Sequence, residues 1–257
     1  MAVQAPADSD RLIGVWRVIV ALSIPLVWEA VGRLSGSAWI STPSRVGMRV
    51  LAWASDGLAF HIATTVEEIA TGLLIGSFFG ILCGLLLGRM PVLAGILRPI
   101  IVALYSVPLI SLAPLFIMLF GLGRMPQIVL VSIVVFFLIF FNTFAGAEAV
   151  DEDLIRTLHL MGAGRTEVFR KVIGPASVVW IIGGLKVALP YALVAATTGE
   201  MLGSRGGIGF LLNNAAQQFD MTSLYAALII LMALGVLTSG AAVRLETWLL
   251  RWRHAAA

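Results

Sequence analysis

Long apolar runs separated by short charged clusters set the pattern of the chain. A transmembrane helix needs ~20 consecutive apolar residues, and the chain has six runs of about this length. One of them, Leu12–Gly32, is weaker than the other five because Arg17 and Glu29 interrupt it. The five clearer runs are Ile69–Gly88, Pro99–Gly123, Met125–Ala147, Val172–Gly199 and Met221–Val243. The pattern predicts an all-α integral membrane protein with about six transmembrane helices.

Composition supports the membrane assignment. Hydrophobic residues make up 60% of the 257 residues and charged residues 12%, whereas a soluble domain is roughly 25% charged. We predict a disordered tail over 1–10, a single transmembrane domain over 11–253 and a short tail over 254–257. A cleaved signal peptide is the alternative for the first run, but that run continues to Val31 without a small-x-small cleavage site.

One charged segment stands out between two of the apolar runs. Glu148 to Lys171 contains nine of the thirty-one charged residues. An apolar stripe at helical spacing predicts a short amphipathic helix there, with acidic residues at the N-terminus, where a helix favours negative charge. The stripe is Leu154, Ile155, Leu158 and Met161, and the acidic residues are Asp151, Glu152 and Asp153.

The glycines that follow this helix predict its end. Gly162 and Gly164, on either side of Ala163, provide a flexible join, and a second short helical run is expected over Glu167–Val172. Pro175 suits the first turn of the next long helix, because its missing N–H costs nothing there. The segment 148–175 is therefore expected to be two short helices joined at glycine.

Lys and Arg are unevenly distributed between the predicted loops. With six spans, eleven of them fall on the side of segment 148–175 and five on the other side, namely Arg33, Arg45, Arg49, Arg124 and Arg205. Because cytoplasmic loops carry the excess of positive charge, the segment and both termini are expected in the cytoplasm. The modest net charge of +3 follows from this bias and gives no reason to expect a nucleic acid partner.

The motifs resemble those of a known family. After Gly162, nine residues intervene before Val172-Ile173-Gly174-Pro175, and further similar stretches begin at Ser106, Gly183, Gly199 and Gly206. In this spacing the chain resembles the permease subunits of bacterial ATP-binding-cassette importers, in the branch that includes nitrate, taurine, alkanesulfonate and bicarbonate systems. It departs from the family at Arg156-Thr157-Leu158, where a Glu-Ala-Ala sequence is usual.

The resemblance implies partners for the chain. It implies a homodimer of permeases in the bacterial inner membrane, two cytoplasmic ATPase subunits and an extracytoplasmic substrate-binding protein. ATPase contact is expected at Asp151, Glu152, Asp153, Leu154, Ile155, Leu158, Met161, Gly162, Ala163 and Gly164. The chain lacks a phosphate-binding loop, so it is expected to be no enzyme and to hold no cofactor, with ATP bound by the partner.

The expected substrate is a small organic or inorganic anion, such as a sulfonate, taurine or a nitrate-like ion. Vitamin precursors and aromatic acids are the alternative within the same importer class. Two alternatives of another class are an ion-coupled secondary transporter, for which inverted repeats and midplane carboxylates would be expected, and an intramembrane enzyme. We find none of these signs, and neither the lone Cys83 nor His159 suggests a metal site.

Four residues are candidates for the pathway or its gate. Pro108 and Pro114 interrupt one span and predict a break or a simple kink. Lys186 lies about halfway along its span, where pairing within the bundle is favoured over attraction of an anion. Glu200 is expected to anchor the loop that follows it through hydrogen bonds.

Other polar and small residues carry structural expectations. Glu67 and Glu68 are expected to be interfacial anchors at the start of the second span, and Glu29 is expected to pair with Arg33 four residues later. Small residues recur every four positions at Gly72, Gly76, Gly80 and Gly84. This ridge predicts close packing against another helix.

Overall fold

The computed structural model describes residues 7–35 and 39–251, and these residues form helices joined by short turns. The first six helices are α1 (Ala7–Leu34), α2 (Pro43–Ser55), α3 (Leu58–Gly88), α4 (Pro91–Ser106), α5 (Ala113–Phe120) and α6 (Arg124–Glu148). The next five are α7 (Glu152–Leu160), α8 (Arg165–Val168), α9 (Gly174–Gly203), α10 (Ile208–Gln217) and α11 (Met221–Leu249). A 3₁₀ turn, Leu109–Leu112, joins α4 to α5, and a π-helical turn, Phe169–Ile173, joins α8 to α9.

The predicted spans correspond to long apolar helices. Within the described chain, four helices are long and apolar enough to cross a membrane, or five if the bent pair α4 and α5 counts as one span. The all-α membrane fold is therefore confirmed. The sixth predicted span lies within α1, whose 28 residues begin at Ala7, inside the segment expected to be disordered.

The core forms where α3, α6 and α9 pack together. Gly72, Gly76, Gly80 and Gly84 are buried on one face of α3, and a Cβ added at Gly76 would lie 2.4 Å from the carbonyl oxygen of Ser132 on α6. The absence of side chains lets the two helix backbones approach closely. The predicted ridge is confirmed, and it continues to Gly88, where a Cβ would lie 2.6 Å from Ala147 Cβ.

The prolines break the third predicted span. α4 ends at Ser106, and α5 leaves at an angle of 73°. The residue preceding a proline is restricted to extended conformations, and Val107, before Pro108, is extended with ψ of 134°. The 3₁₀ turn restores backbone hydrogen bonding, since Ser111 donates to the Pro108 carbonyl at 2.8 Å. The structure therefore has a broken helix, with a bend larger than a simple kink.

Two short helices, α2 and α10, were missed by the hydropathy pattern. Both are too short and too polar to register as spans. α2 is held by Glu29, which accepts hydrogen bonds from the Ser44 backbone N–H at 3.1 Å and from its hydroxyl at 2.9 Å. Glu29 also pairs with Arg33 at 2.8 Å, as predicted. A carboxylate at the N-terminus of α2 is electrostatically favourable.

The second predicted span begins eleven residues later than the helix that contains it. α3 starts at Leu58, so Glu67 and Glu68 are its tenth and eleventh residues. Glu67 is exposed and pairs with Arg124 at 2.6 Å. Glu68 is fully buried, so its assignment as an interfacial anchor is wrong. The predicted span left out residues 58–68 because a hydropathy scale treats every carboxylate as polar, whether it is exposed or buried.

Candidate functional site

The segment between α6 and α9 folds as the charge pattern indicates. α7 begins after Asp151, whose side chain accepts a hydrogen bond from the Asp153 backbone N–H at 2.8 Å. This N-cap satisfies one of the donors left free at a helix start. Arg156, which replaces the usual glutamate of the family motif, pairs with Glu152 at 3.0 Å and with Asp153 at 3.3 Å. Its charge is therefore compensated on its own helix.

Gly162 ends α7 in the left-handed conformation, with φ of +88°. The Ala163 N–H donates to the Leu158 carbonyl and the Gly162 N–H to the His159 carbonyl, both at 3.0 Å. This is the double hydrogen bond of a Schellman C-cap. Gly164, by contrast, does not have a positive φ. Gly162 therefore adopts a conformation that favours glycine, whereas Gly164 does not.

A small apolar cluster fixes α7 against the following helix. Its buried members are Val150, Ile155, Val168 and Ile173, against which Leu158, Ala163 and Val172 pack. The cluster lies within the segment and has no part in the main core. Segment 148–175 is therefore a unit with its own minor core, attached to the end of the bundle.

The predicted apolar stripe divides between two faces. Ile155 is buried and Leu158 packs on the minor core, while Leu154 and Met161 are exposed. Leu160, which the periodicity did not select, is 89% exposed, and Met161 beside it is 79% exposed. The outward apolar surface is therefore Leu154, Leu160 and Met161, which we call the docking face. The prediction placed Leu158 on it because helical spacing alone cannot show which side faces the chain itself.

The second short helix is continuous with the next span. The predicted run Glu167–Val172 lies within an apolar helical stretch, Thr166–Gly203, of 38 residues. It contains the π-helical turn, in which the Gly174 N–H donates to the Phe169 carbonyl. Proline inside a helix lacks an N–H and crowds the preceding turn, and a π-bulge is one way to relieve that conflict. A movement of α7 and α8 would therefore be transmitted directly into α9.

A buried carboxylate, that of Glu200, lies near the C-terminal end of α9. Glu200 is 1% exposed, and its oxygens accept hydrogen bonds from the Thr65 hydroxyl and the Gly209 N–H, both at 2.6 Å. Thr65 in turn accepts from the Ile208 N–H at 2.9 Å. The first N–H groups of α10 are thereby satisfied by α3 and α9. The predicted anchoring role of Glu200 is confirmed in the structure.

Glycines make room for this carboxylate. Gly207 has φ of +99°, and a Cβ there would lie 2.2 Å from Glu200 Cδ. At Gly209 a Cβ would lie 2.2 Å from the Thr197 carbonyl oxygen. His61 Nδ1 lies 3.2 Å from the Gly207 carbonyl oxygen. We call Glu200, Thr65, Gly207 and Gly209 the latch, because it joins the loop after α9 to α3.

Two further buried polar side chains lie near the latch and were missed by sequence reasoning. Gln127 is fully buried and donates to the Gly199 carbonyl at 3.2 Å. Glu68 is fully buried as well, and its carboxyl lies close enough to that of Glu200 for the two to interact. Neither Glu68 oxygen reaches hydrogen-bond geometry with a described residue. The spacing of Glu68 four residues before Gly72, in line with the glycine ridge, was the available signal.

Lys186 has an ionic partner within the bundle. Its Nζ donates to Glu246 Oε2 on α11 at 2.7 Å. The side chains are 40% and 29% exposed, respectively. The favoured expectation, pairing within the bundle, agrees with this contact. Because Glu246 lies near the end of α11, hydropathy gave no reason to associate the two residues.

These features occur in a chain whose family can be identified. Residues 76–251, more than half of the chain, match the family described as binding-protein-dependent transport system inner membrane component. The chain belongs to this family. It is a membrane-embedded permease subunit of an ABC importer, as the sequence motifs implied.

Several relatives cover nearly the whole chain. The formylaminopyrimidine transport permease protein ThiX of Halalkalibacterium halodurans is 29% identical over 90% of this chain and 93% of its own length. The putative aliphatic sulfonates transport permease protein SsuC of Bacillus subtilis is 29% identical over 89% and 84%. The riboflavin transport system permease protein RibX of Chloroflexus aurantiacus is 29% identical over 91% and 88%.

The fold is also found in a solved transporter. An inward-facing structure of the MetNI methionine ABC transporter aligns with a TM-score of 0.61 and 20% sequence identity. The alignment covers 74% of this chain and 96% of the other chain. The helical arrangement is therefore that of an ABC importer permease.

Proposed function

We propose that two copies of the chain form the translocation pathway and that segment 148–175 of each copy docks into a cleft of a cytoplasmic ATPase subunit. ATP-driven closure of the two ATPases brings the α7 helices together and converts an inward-open pathway to an outward-open one. Solute then enters from an extracytoplasmic binding protein. Both termini and segment 148–175 lie in the cytoplasm, in accord with the Lys and Arg distribution.

The docking face carries this proposal. Leu160 and Met161 expose most of their apolar surface on a segment rich in charged residues, although the same segment buries Ile155 in its own minor core. Exposed apolar residues on an otherwise ordered and charged element are typical of a contact with another protein. Since the second helix of the segment continues into α9, force applied at the docking face reaches the membrane-spanning part.

The substrate is a small organic or inorganic solute. From the sequence, a small anion such as a sulfonate or taurine is expected, with a vitamin precursor or an aromatic acid as the alternative. Two relatives, one named for an aliphatic sulfonate and one for a formylaminopyrimidine, are equally similar to the chain at 29% sequence identity. Overall sequence similarity therefore does not distinguish an anionic sulfonate from an aromatic solute. The distinction depends on the side chains that could contact the solute.

Isolation of the assembled complex tests the proposal. The chain, purified from its native membrane in mild detergent, should bring down an ATPase subunit in equal amount. In liposomes this complex should accumulate solute only when ATP and a binding protein are present. Transport by the permease alone, driven by an ion gradient, would support the secondary transporter alternative instead.

A further inference from the structure

Two cavities lie between α4 and α6, on the side of the bundle with the broken helix. The first has a volume of about 230 Å³ and is lined by Arg98, Phe140, Phe141, Phe144 and Glu148, among others. The second has a volume of about 190 Å³ and lies at the helix break, where Tyr105 and Tyr191 line it. Both are of a size to hold a molecule of one or two rings.

Aromatic rings connect the two cavities. On α6, Phe140 and Phe144 stack with centroids 5.9 Å apart, and Phe137 and Phe141 with centroids 6.4 Å apart. The spacing of four residues places each ring above the next on one helix face. Tyr105 reaches across from α4 to within 5.1 Å of the Phe141 centroid. We call these five residues the aromatic track.

The first cavity also contains two opposite charges. Arg98 comes from α4 and Glu148 from the last turn of α6. Among the described residues, neither forms an ion pair with the other or with a third group. A cation and an anion that line one cavity without pairing are available to a ligand that carries the complementary groups.

We propose that the aromatic track binds a planar aromatic or heteroaromatic acid that also carries a hydrogen-bond donor. The ring of the solute stacks against Phe141 and Phe144, its carboxylate pairs with Arg98 and its donor reaches Glu148. A lipid acyl chain needs neither charge, and an aliphatic sulfonate gains nothing from stacked rings. This inference rests on the proposed import function and selects the aromatic alternative for its substrate.

Two matched probes separate planarity from charge. 4-Hydroxybenzoate and trans-4-hydroxycyclohexanecarboxylate both carry one carboxylate and one neutral hydroxyl donor at neutral pH, but only the first has a flat ring. Binding is measured by titration calorimetry to the permease–ATPase complex in phosphatidylcholine nanodiscs without nucleotide. We expect saturable binding of 4-hydroxybenzoate, roughly tenfold tighter than that of the cyclohexane analogue.

Matched phenylalanine variants locate the site. Phe141→Leu should weaken binding of 4-hydroxybenzoate about threefold to tenfold, because a stacking contact is removed. Phe78→Leu is the control, since Phe78 also contacts a neighbouring ring, that of Phe79 at 5.2 Å, but lies on α3 away from both cavities. Equal weakening by both variants, or equal affinity for the two probes, would overturn the proposal.

Other occupants give different results. If a second copy of the chain fills the cavity, Phe141→Cys in a Cys83→Ser background should form a disulfide with the same residue of the second copy, and neither probe should bind. If an acyl chain fills it, both probes should fail and bound lipid should be lost in Phe141→Trp. Either result overturns the aromatic site. Because this assay needs no ATP turnover, an intact ATPase complex without probe binding leaves the import function standing.

Discussion

The two ends of α9 are built in contrasting ways. The end that follows segment 148–175 has a minor core, ion pairs exposed to solvent and the apolar docking face. The end at Glu200 is a latch in which a buried carboxylate binds two elements and adjacent glycines leave no spare volume. One end is suited to contact with a partner, whereas the other is fixed within the chain. Motion entering at the first end is therefore expected to pivot about the second.

A Cβ at the latch should have the largest effect. Gly209→Ala would place a methyl group 2.2 Å from a backbone oxygen that cannot move aside, and we expect a loss of about 3 kcal/mol or more of stability, as for severe overpacking. Gly240→Ala is the control, because a Cβ at that α11 position meets nothing within 4 Å. Thermal unfolding in detergent measures both, and a normal midpoint for Gly209→Ala contradicts the latch geometry.

A charge on the docking face should abolish coupling without unfolding the permease. Leu160→Asp introduces a carboxylate at a residue that is 89% exposed, and loss of a central contact of this kind typically costs ~2 kcal/mol of binding or more. ATPase association and substrate-stimulated hydrolysis should fall at least about tenfold. Leu158→Asp instead disturbs the minor core, and should therefore lower the thermal stability of the permease itself. Similar behaviour of the two variants would mean that the segment lacks two distinct faces.

Removal of Lys186 should destabilise the bundle by leaving Glu246 unpaired. The two residues are 2.7 Å apart, and because they are partly exposed we expect a loss of about 1 kcal/mol for Lys186→Met. The double variant Lys186→Met with Glu246→Leu should recover part of that loss. Uptake at matched membrane expression checks the alternative: a transport defect in a thermally normal complex would assign Lys186 to the pathway.

The glycine join should show a position-specific effect on coupling. Gly162→Ala forces an alanine into a left-handed conformation, which costs roughly 1–2 kcal/mol, although its Cβ would meet no other atom within 4 Å. Gly164→Ala has the same open surroundings without the positive φ. Coupled ATPase activity should therefore drop for Gly162→Ala and remain for Gly164→Ala. Equal activity in both variants would show that the backbone conformation is immaterial.

The smallest expected effect concerns pH at the latch end. Burial alone would raise the pKa of Asp220, but hydrogen bonds from Ser223 and the charge of Arg49, 3.2 Å away, hold the pKa below its usual range. Stability from this depressed pKa is fully present above the unfolded value of about 3.9 and is lost as pH falls through the folded value.

Asp220→Asn keeps the helix cap but removes the charge, and should cost about 0.5 kcal/mol at neutral pH. Thermal midpoints measured from neutral pH down to about pH 3 provide the check. A difference between wild type and variant that persists unchanged in acid would exclude the ionic contribution.

Sequence alone predicted the long helices and much of segment 148–175. Apolar runs identify spans because bilayer thickness sets their length, and Gly162 was identifiable because few other residues tolerate its conformation. The glycine ridge was likewise predictable, since every fourth residue of a helix shares one face. In each case the prediction depends on neighbouring residues in the sequence, so it does not require knowledge of the tertiary packing.

Contacts between distant parts of the chain could not be predicted from the sequence. Glu68 and Glu200 are 132 positions apart, and nothing in either local sequence tells a buried carboxylate from an interfacial one. The division of Leu158 from Leu160 depends on residues up to Ile173 folding back over α7. The pairing of Lys186 with Glu246 depends on how α9 and α11 cross. Such features require the tertiary arrangement, which periodicity does not contain.

Site-directed cross-linking of the assembled complex tests the contrast between the two ends most directly. In a Cys83→Ser background, single cysteines are placed at Leu160 on the docking face and at Asn214 on the exposed side of α10, near the latch. With a short thiol-to-amine cross-linker, Leu160→Cys should couple to the ATPase subunit and Asn214→Cys should not. Cross-linking from Asn214→Cys, or none from Leu160→Cys in a complex that still hydrolyses ATP, would contradict the account.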